Sequence, residues 1–135
     1  MTICIIPARS GSKRIKNKNI KKINNIPMLG MAIKIAKKSK IFKRIIVSTD
    51  SEQIAKIAIE YGAEVPYLRS KKLANDFTAT YEVLIDVVKK LNLKKKYIFC
   101  LYPTAIFTKT DDLKKSFLLM KKKKANLLCP VIKLD

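Results

Sequence analysis

Short apolar, β-branched runs alternate along this chain with longer stretches in which apolar residues recur at helical spacing. Runs over residues 2–6, 45–48, 65–68, 97–101 and 127–131 predict strands, and the stretches 28–38, 51–61, 78–91 and 111–123 predict helices. In the first helical stretch Met31, Ile35 and Ala36 follow Pro27; the second carries Ile54, Ile57 and Ala58 and closes at Gly62 as a helix C-cap does. This order predicts an α/β fold, a mostly parallel sheet with helices on both faces. In open parallel sheets ligands bind beyond the carboxyl ends of the strands. Here those ends run into the polar segments 7–19, Thr49-Asp50, 69–80 and 102–108, so one crevice is expected to collect loops far apart in sequence.

Composition narrows the setting. The 135 residues suit a single domain, and 48% hydrophobic with 30% charged residues is ordinary for a globular chain. No apolar run has the length of a bilayer span, and residues 3–6 are too few for a signal-peptide core, so a cytoplasmic protein is expected. The absence of His removes Ser-His-Asp and Cys-His schemes, His-based zinc sites and His general bases. Cys4, Cys100 and Cys129 have no C-x-x-C spacing and sit in strand-like runs, which predicts buried free thiols.

The formal charge of +20 suggests nucleic acid, but of the 30 basic residues only Arg9, Arg14, Arg44 and Arg69 are Arg. Arg is the preferred residue for bidentate phosphate and base-edge contacts. The densest Lys runs, around Lys37, over 94–96 and over 121–124, fall at or just past predicted helix ends, where cations meet the negative end of the dipole. They are read as solvated surface, and no nucleic-acid partner is expected.

The candidate chemistry begins where the first strand ends. Pro7-Ala8-Arg9-Ser10-Gly11-Ser12-Lys13-Arg14 is a small-residue turn in which backbone N–H groups can face an anion, with Arg9, Lys13, Arg14 and Lys18 as surrounding cations. It is not a P-loop, because Ile6 stands five before Gly11 and Ser12-Lys13-Arg14 follows it. Nor is it a dinucleotide fingerprint, since the chain has only three glycines, Gly11, Gly30 and Gly62.

The stretch resembles the N-terminal motif of the CMP-sialic acid synthetase family of sugar nucleotidyltransferases: an apolar strand, Ala-Arg-x-Gly-Ser-Lys, then Lys-Asn. The resemblance continues through Ser48-Thr49-Asp50, Tyr61-Gly62-Ala63-Glu64-Val65, Leu68-Arg69, Leu73-Ala74-Asn75-Asp76 and Tyr102-Pro103-Thr104-Ala105, in the family's order. Arg14-Ile15, the inserted Phe77, and Tyr102 where sialic acid enzymes tend to carry Gln resemble the pseudaminic acid cytidylyltransferase branch. Lys16 and Ile106 stand where the family commonly has proline.

That resemblance implies a Rossmann-like nucleotidyltransferase fold and an enzyme that joins CTP to the anomeric hydroxyl of a nonulosonic acid, pseudaminic acid first, releasing pyrophosphate. It implies Arg9, Lys13 and Lys18 as the catalytic cations on the triphosphate, with Lys18 nearest the α-phosphate. Ala8, Ser10, Gly11 and Ser12 would contact substrate, Asn19 the ribose, Arg69, Asp76, Thr78 and Thr80 the cytosine, and Tyr102, Pro103 and Thr104 the sugar. Two readings stay open: Asp76 and the threonines as an N-cap of the third helix, and Asp50 as either a cap of the helix from Ser51 or a ligand of the Mg²⁺ cofactor. Alternatives are a CMP-sialic acid or CMP-3-deoxy-manno-octulosonate synthetase and, from another class, a nucleotide-binding remnant or a basic RNA-associated protein. The family's chains run well past residue 135. Its main metal-binding acids and dimer contact are therefore expected beyond that point, with residues 1–135 inactive alone and the complete protein a homodimer.

Overall fold

The computed structural model of the chain describes residues 2–12, 15–93 and 97–131. Lys13, Arg14 and the Lys run 94–96 lie outside them. Strand β1 (Thr2–Pro7) is the centre of a parallel three-stranded sheet. On one side it pairs with β4 (Arg44–Ser48), Cys4 opposite Ile45 and Ile6 opposite Val47. On the other it pairs with β5 (Tyr97–Cys100), Ile3 opposite Ile98 and Ile5 opposite Cys100. A small antiparallel hairpin, β2 (Lys22–Ile23) with β3 (Ile26–Pro27), lies apart from the sheet. Its turn residues Asn24 and Asn25 have φ of 49° and 63°, the double left-handed step that a two-residue hairpin requires.

Because side chains alternate across a strand, β1 feeds two cores. Cys4 and Ile6 join Val47 against α1 (Met28–Ser39) and α2 (Glu52–Glu60), through Leu29, Ala32, Ile33, Ala36, Ile54 and Ala58. Ile3 and Ile5 join Ile46 against Val87 of α3 (Thr80–Lys90) and Leu93. Helices thus cover both faces of the sheet. A fourth helix, α4 (Thr110–Lys123), packs against α1. Its Phe117 meets the rings of Tyr97 and Phe99 at centroid separations of 5.4 and 6.2 Å.

The end of α2 follows its sequence. Gly62 at φ 85° lets its N–H reach the Ile59 carbonyl at 2.8 Å while the N–H of Ala63 reaches that of Ala58 at 3.0 Å, a Schellman closure. Lys37 and Lys38 occupy the last turn of α1, and Lys121, Lys122 and Lys123 that of α4, as the dipole argument expects.

Two expected strands do not form. Residues 65–68 stop at a single bridge between Glu64 and Ile46, because Pro66 has no N–H with which to continue the ladder. Residues 127–131 pair with nothing among the described residues, and Leu127 and Val131 are 78% and 90% exposed. The expectation of three buried thiols is also corrected. Cys4 is buried under both helices, but Cys100 and Cys129 are exposed, the first on an edge strand and the second in the unpaired segment. Among the described residues no helix is long and apolar enough to cross a membrane.

Candidate active site

The chain leaves β1 toward β4 in one direction and β5 in the other, so the strand order turns at β1, and the point beyond its carboxyl end is where an open sheet leaves a crevice. A cleft of about 680 Å³ lies there. Pro7, at the end of β1, lines it, and Tyr102, Pro103 and Thr104 follow from the end of β5. Arg9, Ser12, Lys18, Asn19, Arg69, Asp76, Thr78 and Thr80 complete the expected set within its lining. Segments that are remote in sequence converge as the topology argument requires.

Each wall has its own support. The N–H of Ala8 donates to the Ser48 carbonyl at 2.9 Å, which fixes the base of the first loop to β4. Lys18 opens a short 3-10 turn, Lys18–Ile20, within which Asn19 is buried and donates from Nδ2 to the Arg9 carbonyl at 2.9 Å. Arg69 is 5% exposed; its N–H is held by the Thr49 carbonyl at 2.7 Å, while its Nε has no hydrogen-bond partner among the described residues. Burial lowers the Arg69 pKa from its ordinary value, opposed by Asp50 and reinforced by the charge of Arg9. A buried guanidinium with an unanswered donor at a cleft wall is suited to a polar or anionic guest.

The segment after Arg69 is organised by a residue that the sequence reading passed over. Asn75 Oδ1 accepts from the N–H groups of Phe77 and Thr78, both at 2.8 Å, and from the Thr78 hydroxyl at 3.0 Å. An Asn shortly before a helical stretch, followed by Asp and then Thr78, is the signal of such an Asx turn. Asp76 and Thr78 do not cap α3. Its N-cap is Ala79, whose N–H is taken by Glu82 at 2.7 Å. Thr80 is the first helical residue, and its hydroxyl shares a 2.8 Å hydrogen bond with that of Tyr102, closing the far wall.

Arg9 and Asp76, expected at opposite ends of a nucleotide, form an ion pair at 2.6 Å. Ala8 is buried in the core rather than lining the cleft. Ser10 and Gly11 also stand outside the lining. Ser10 gives both its N–H (2.9 Å) and its hydroxyl (2.6 Å) to the carboxylate of Asp50, so its donors are spent within the protein. Partial burial raises the Asp50 pKa, but these two bonds and the Arg69 charge outweigh it and hold the carboxyl below its ordinary value. Asp50 does not cap α2, where Ser51 accepts the Ile54 N–H at 3.4 Å. Phe77 is 95% exposed and outside the lining, whereas Ile15 and Tyr102, the other branch-marking residues that are described, both line the cleft.

Residues 3–134 match the family described as cytidylyltransferase. The chain belongs to the cytidylyltransferase family. It is 47% identical over 104 residues to the post-translational flagellin modification protein B of Campylobacter coli, covering 77% of this chain and 43% of that protein. It is 38% identical over 118 residues to the pseudaminic acid cytidylyltransferase of Campylobacter jejuni subsp. jejuni serotype O:2, covering 85% and 51%. Among solved structures, CMP:2-keto-3-deoxy-manno-octonic acid synthetase complexed with CTP superposes with a TM-score of 0.78 over 93% of this chain and 49% of its own, at 20% identity, a likeness of fold. The chain thus spans about half the length of the curated relatives it matches.

The described residues of this cytidylyltransferase-family cleft do not by themselves make up a Mg²⁺ site. Among the described residues no three His, Cys, Asp or Glu side chains gather. Of the two acids near the cleft, Asp50 is engaged by Ser10 and Asp76 by Arg9. Mg²⁺ requires oxygen ligands in near-octahedral order, which this pair does not offer.

Proposed function

We propose that this chain binds CTP in the cleft beyond β1 and serves the transfer of CMP to a nonulosonic acid, with release of pyrophosphate. The acceptor's anomeric hydroxyl attacks the α-phosphorus, its proton leaves to solvent or base, and the bond to the pyrophosphate oxygen breaks. Catalysis of such a step is charge neutralisation and alignment. Arg9, Lys18 and the loop donors of Gly11 and Ser12 face the triphosphate in this reading, with Lys13 as the third cation. Arg69, Asp76, Thr78 and Thr80 face the base, Asn19 the ribose, and Tyr102 and Thr104 the sugar. Mg²⁺ is the proposed counter-ion of the bound triphosphate.

The observation that carries the proposal is the convergence of Arg9, Lys18, Arg69 and Asp76 on one cleft at the sheet's turning point, in a chain of this family. Pseudaminic acid is the first acceptor to test, because Tyr102 lies on the sugar side and a 38% identical relative is named for that sugar. N,N'-diacetyllegionaminic acid is the second, since a CMP-N,N'-diacetyllegionaminic acid synthase of Campylobacter jejuni is 51% identical over 86 residues. The setting proposed is the cytoplasm, and the complete enzyme is proposed to be a homodimer.

Thermal shift with CTP, UTP, ATP, GTP and an RNA oligomer tests the reading, because a ligand of the native state raises its melting temperature. CTP is expected to give the largest shift. Arg9→Ala and Lys18→Ala are expected to abolish it and Lys122→Ala, on the exposed end of α4, to leave it intact. Equal shifts with all four nucleotides, or equal behaviour of the three variants, would reduce the cleft to a generic anion trap.

A further inference from the structure

The loop that would meet the phosphates has its acid on the wrong side of the charge balance. Asp50 stands at the end of β4, next to a turn otherwise furnished with cations, and an isolated carboxylate there repels the anion that the loop is proposed to take. Its geometry supplies the reason for its presence. One oxygen accepts the Ser10 N–H at 2.9 Å and the other the Ser10 hydroxyl at 2.6 Å, across forty positions of sequence. A carboxylate that answers both donors of one residue fixes its position and rotation together.

Asp50 itself is immobilised. Thr49 before it is fully buried, its carbonyl takes the Arg69 N–H at 2.7 Å, and its hydroxyl accepts the Ser51 N–H at 3.2 Å. Beyond Ser10 the loop has little hold of its own. Among the described residues the tip bonds only within itself, Ser12 N–H to the Ser10 carbonyl at 2.9 Å. This accounting leaves the Gly11 N–H and the Ser12 hydroxyl as the loop's uncommitted donors among the described residues. A Cβ on Gly11 would meet no described atom within 4 Å, so the room beside that N–H is open.

We propose that Asp50 is a positioning residue. It straps the Ser10–Gly11–Ser12 tip to the end of β4, so that Gly11 N–H and Ser12 Oγ are presented to a phosphate group, and its carboxylate serves this geometry rather than a metal ion. The inference rests on the phosphate-binding reading of the cleft. It separates cleanly from a charge effect, because the two have opposite signs. Removing an acid beside an anion site tightens anion binding by Coulomb's law, whereas removing a strap weakens it. Asn preserves the strap without the charge: its Oδ1 can accept the Ser10 N–H and its Nδ2 can donate to the Ser10 hydroxyl oxygen.

The test is the affinity for inorganic pyrophosphate in EDTA, by titration calorimetry, for the wild type, Asp50→Asn, Asp50→Ala and Ser10→Ala, each checked by circular dichroism to be fully folded at the assay temperature. The expected order is Asp50→Asn equal to or tighter than wild type, Ser10→Ala weaker, and Asp50→Ala weaker by about ten-fold, the size of a lost charge-assisted hydrogen bond. Binding by Asp50→Ala as tight as wild type, or an equal loss in Asp50→Asn, overturns the strap. Amide hydrogen exchange at Ser10 provides a readout that needs no ligand. It is expected to be slow in the wild type and Asp50→Asn and fast in Asp50→Ala. If wild type fails to bind pyrophosphate, the functional reading falls; if its Ser10 amide exchanges freely, the strap falls.

Discussion

Strands β1 and β5 lie side by side and come from similar apolar runs, yet one is sealed and the other is not. Thr2 to Ile6 are all buried, whereas β5 shows Tyr97 and Cys100 to solvent. The helices repeat the contrast: α1 buries Leu29, Ala32, Ile33 and Ala36 on its apolar face, while α4 buries Leu113 alone and leaves Leu118 64% exposed. An apolar run states what a segment can bury. What it does bury depends on whether a second layer stands opposite. The central strand is fully covered on both faces, and the edge strand only in part, by Ile98 on the second core and Phe99 against Phe42 and Phe117.

Core truncation should reveal this contrast most strongly. Ile33→Ala is expected to cost about 2–5 kcal/mol of unfolding free energy, and Leu118→Ala to stay within about 0.5 kcal/mol, by urea titration. A comparable loss at Leu118 would show that α4 packs as tightly as α1. Next in size are the glycines. Gly62→Ala forces a side chain into φ 85° and against the Lys37 amine, and should cost about 1 kcal/mol or more. Gly11→Ala should leave the melt within about 0.5 kcal/mol of wild type yet weaken pyrophosphate binding, because the open space there is on the ligand's side.

Acid provides a smaller effect. Asp50 has a lowered pKa, so its contribution to stability is complete above the ordinary value of 3.8 and disappears as the pH falls through the folded value. Melting curves followed downward from that pH should show a decline that is smaller in Asp50→Asn. The smallest test is kinetic labelling of thiols. Cys129 is expected to react with iodoacetamide first. Cys100 follows slowly, because desolvation pushes its pKa up to about 11, and Cys4, buried and raised further still, only after unfolding. Rapid labelling of Cys4 would break the distinction between sealed and open halves.

Much of this arrangement is legible in the residues, for identifiable reasons. Apolar runs flanked by polar loops locate β1, β4 and β5, and the rule that ligands sit beyond strand ends locates the cleft. The failures share a cause: they depend on a partner rather than on the segment. Residues 65–68 look like a strand until Pro66 meets a ladder that needs its N–H, and 127–131 look like one until no neighbour arrives. Asn24-Asn25 is a turn signal, but the strands beside it are only two residues long and too short to show a period. The pairings of Ser10 with Asp50 and of Arg9 with Asp76 are contacts across forty and more positions, for which a single sequence offers no cue.

The register of the sheet also sets an order of events during synthesis. Of the three strands β1 is made first, but its second edge waits for Tyr97–Cys100, far later in the chain. By Ala63 every buried member of the larger core except Leu101 has been made. The β1–α1–β4–α2 unit, with Asp50 already within reach of Ser10, can therefore condense on the ribosome while β5 is unmade. Loop closure over so long a separation is slow compared with local pairing. The phosphate side of the cleft is thus assembled early, and the side carrying Thr80 and Tyr102 arrives as a later addition to a scaffold already standing.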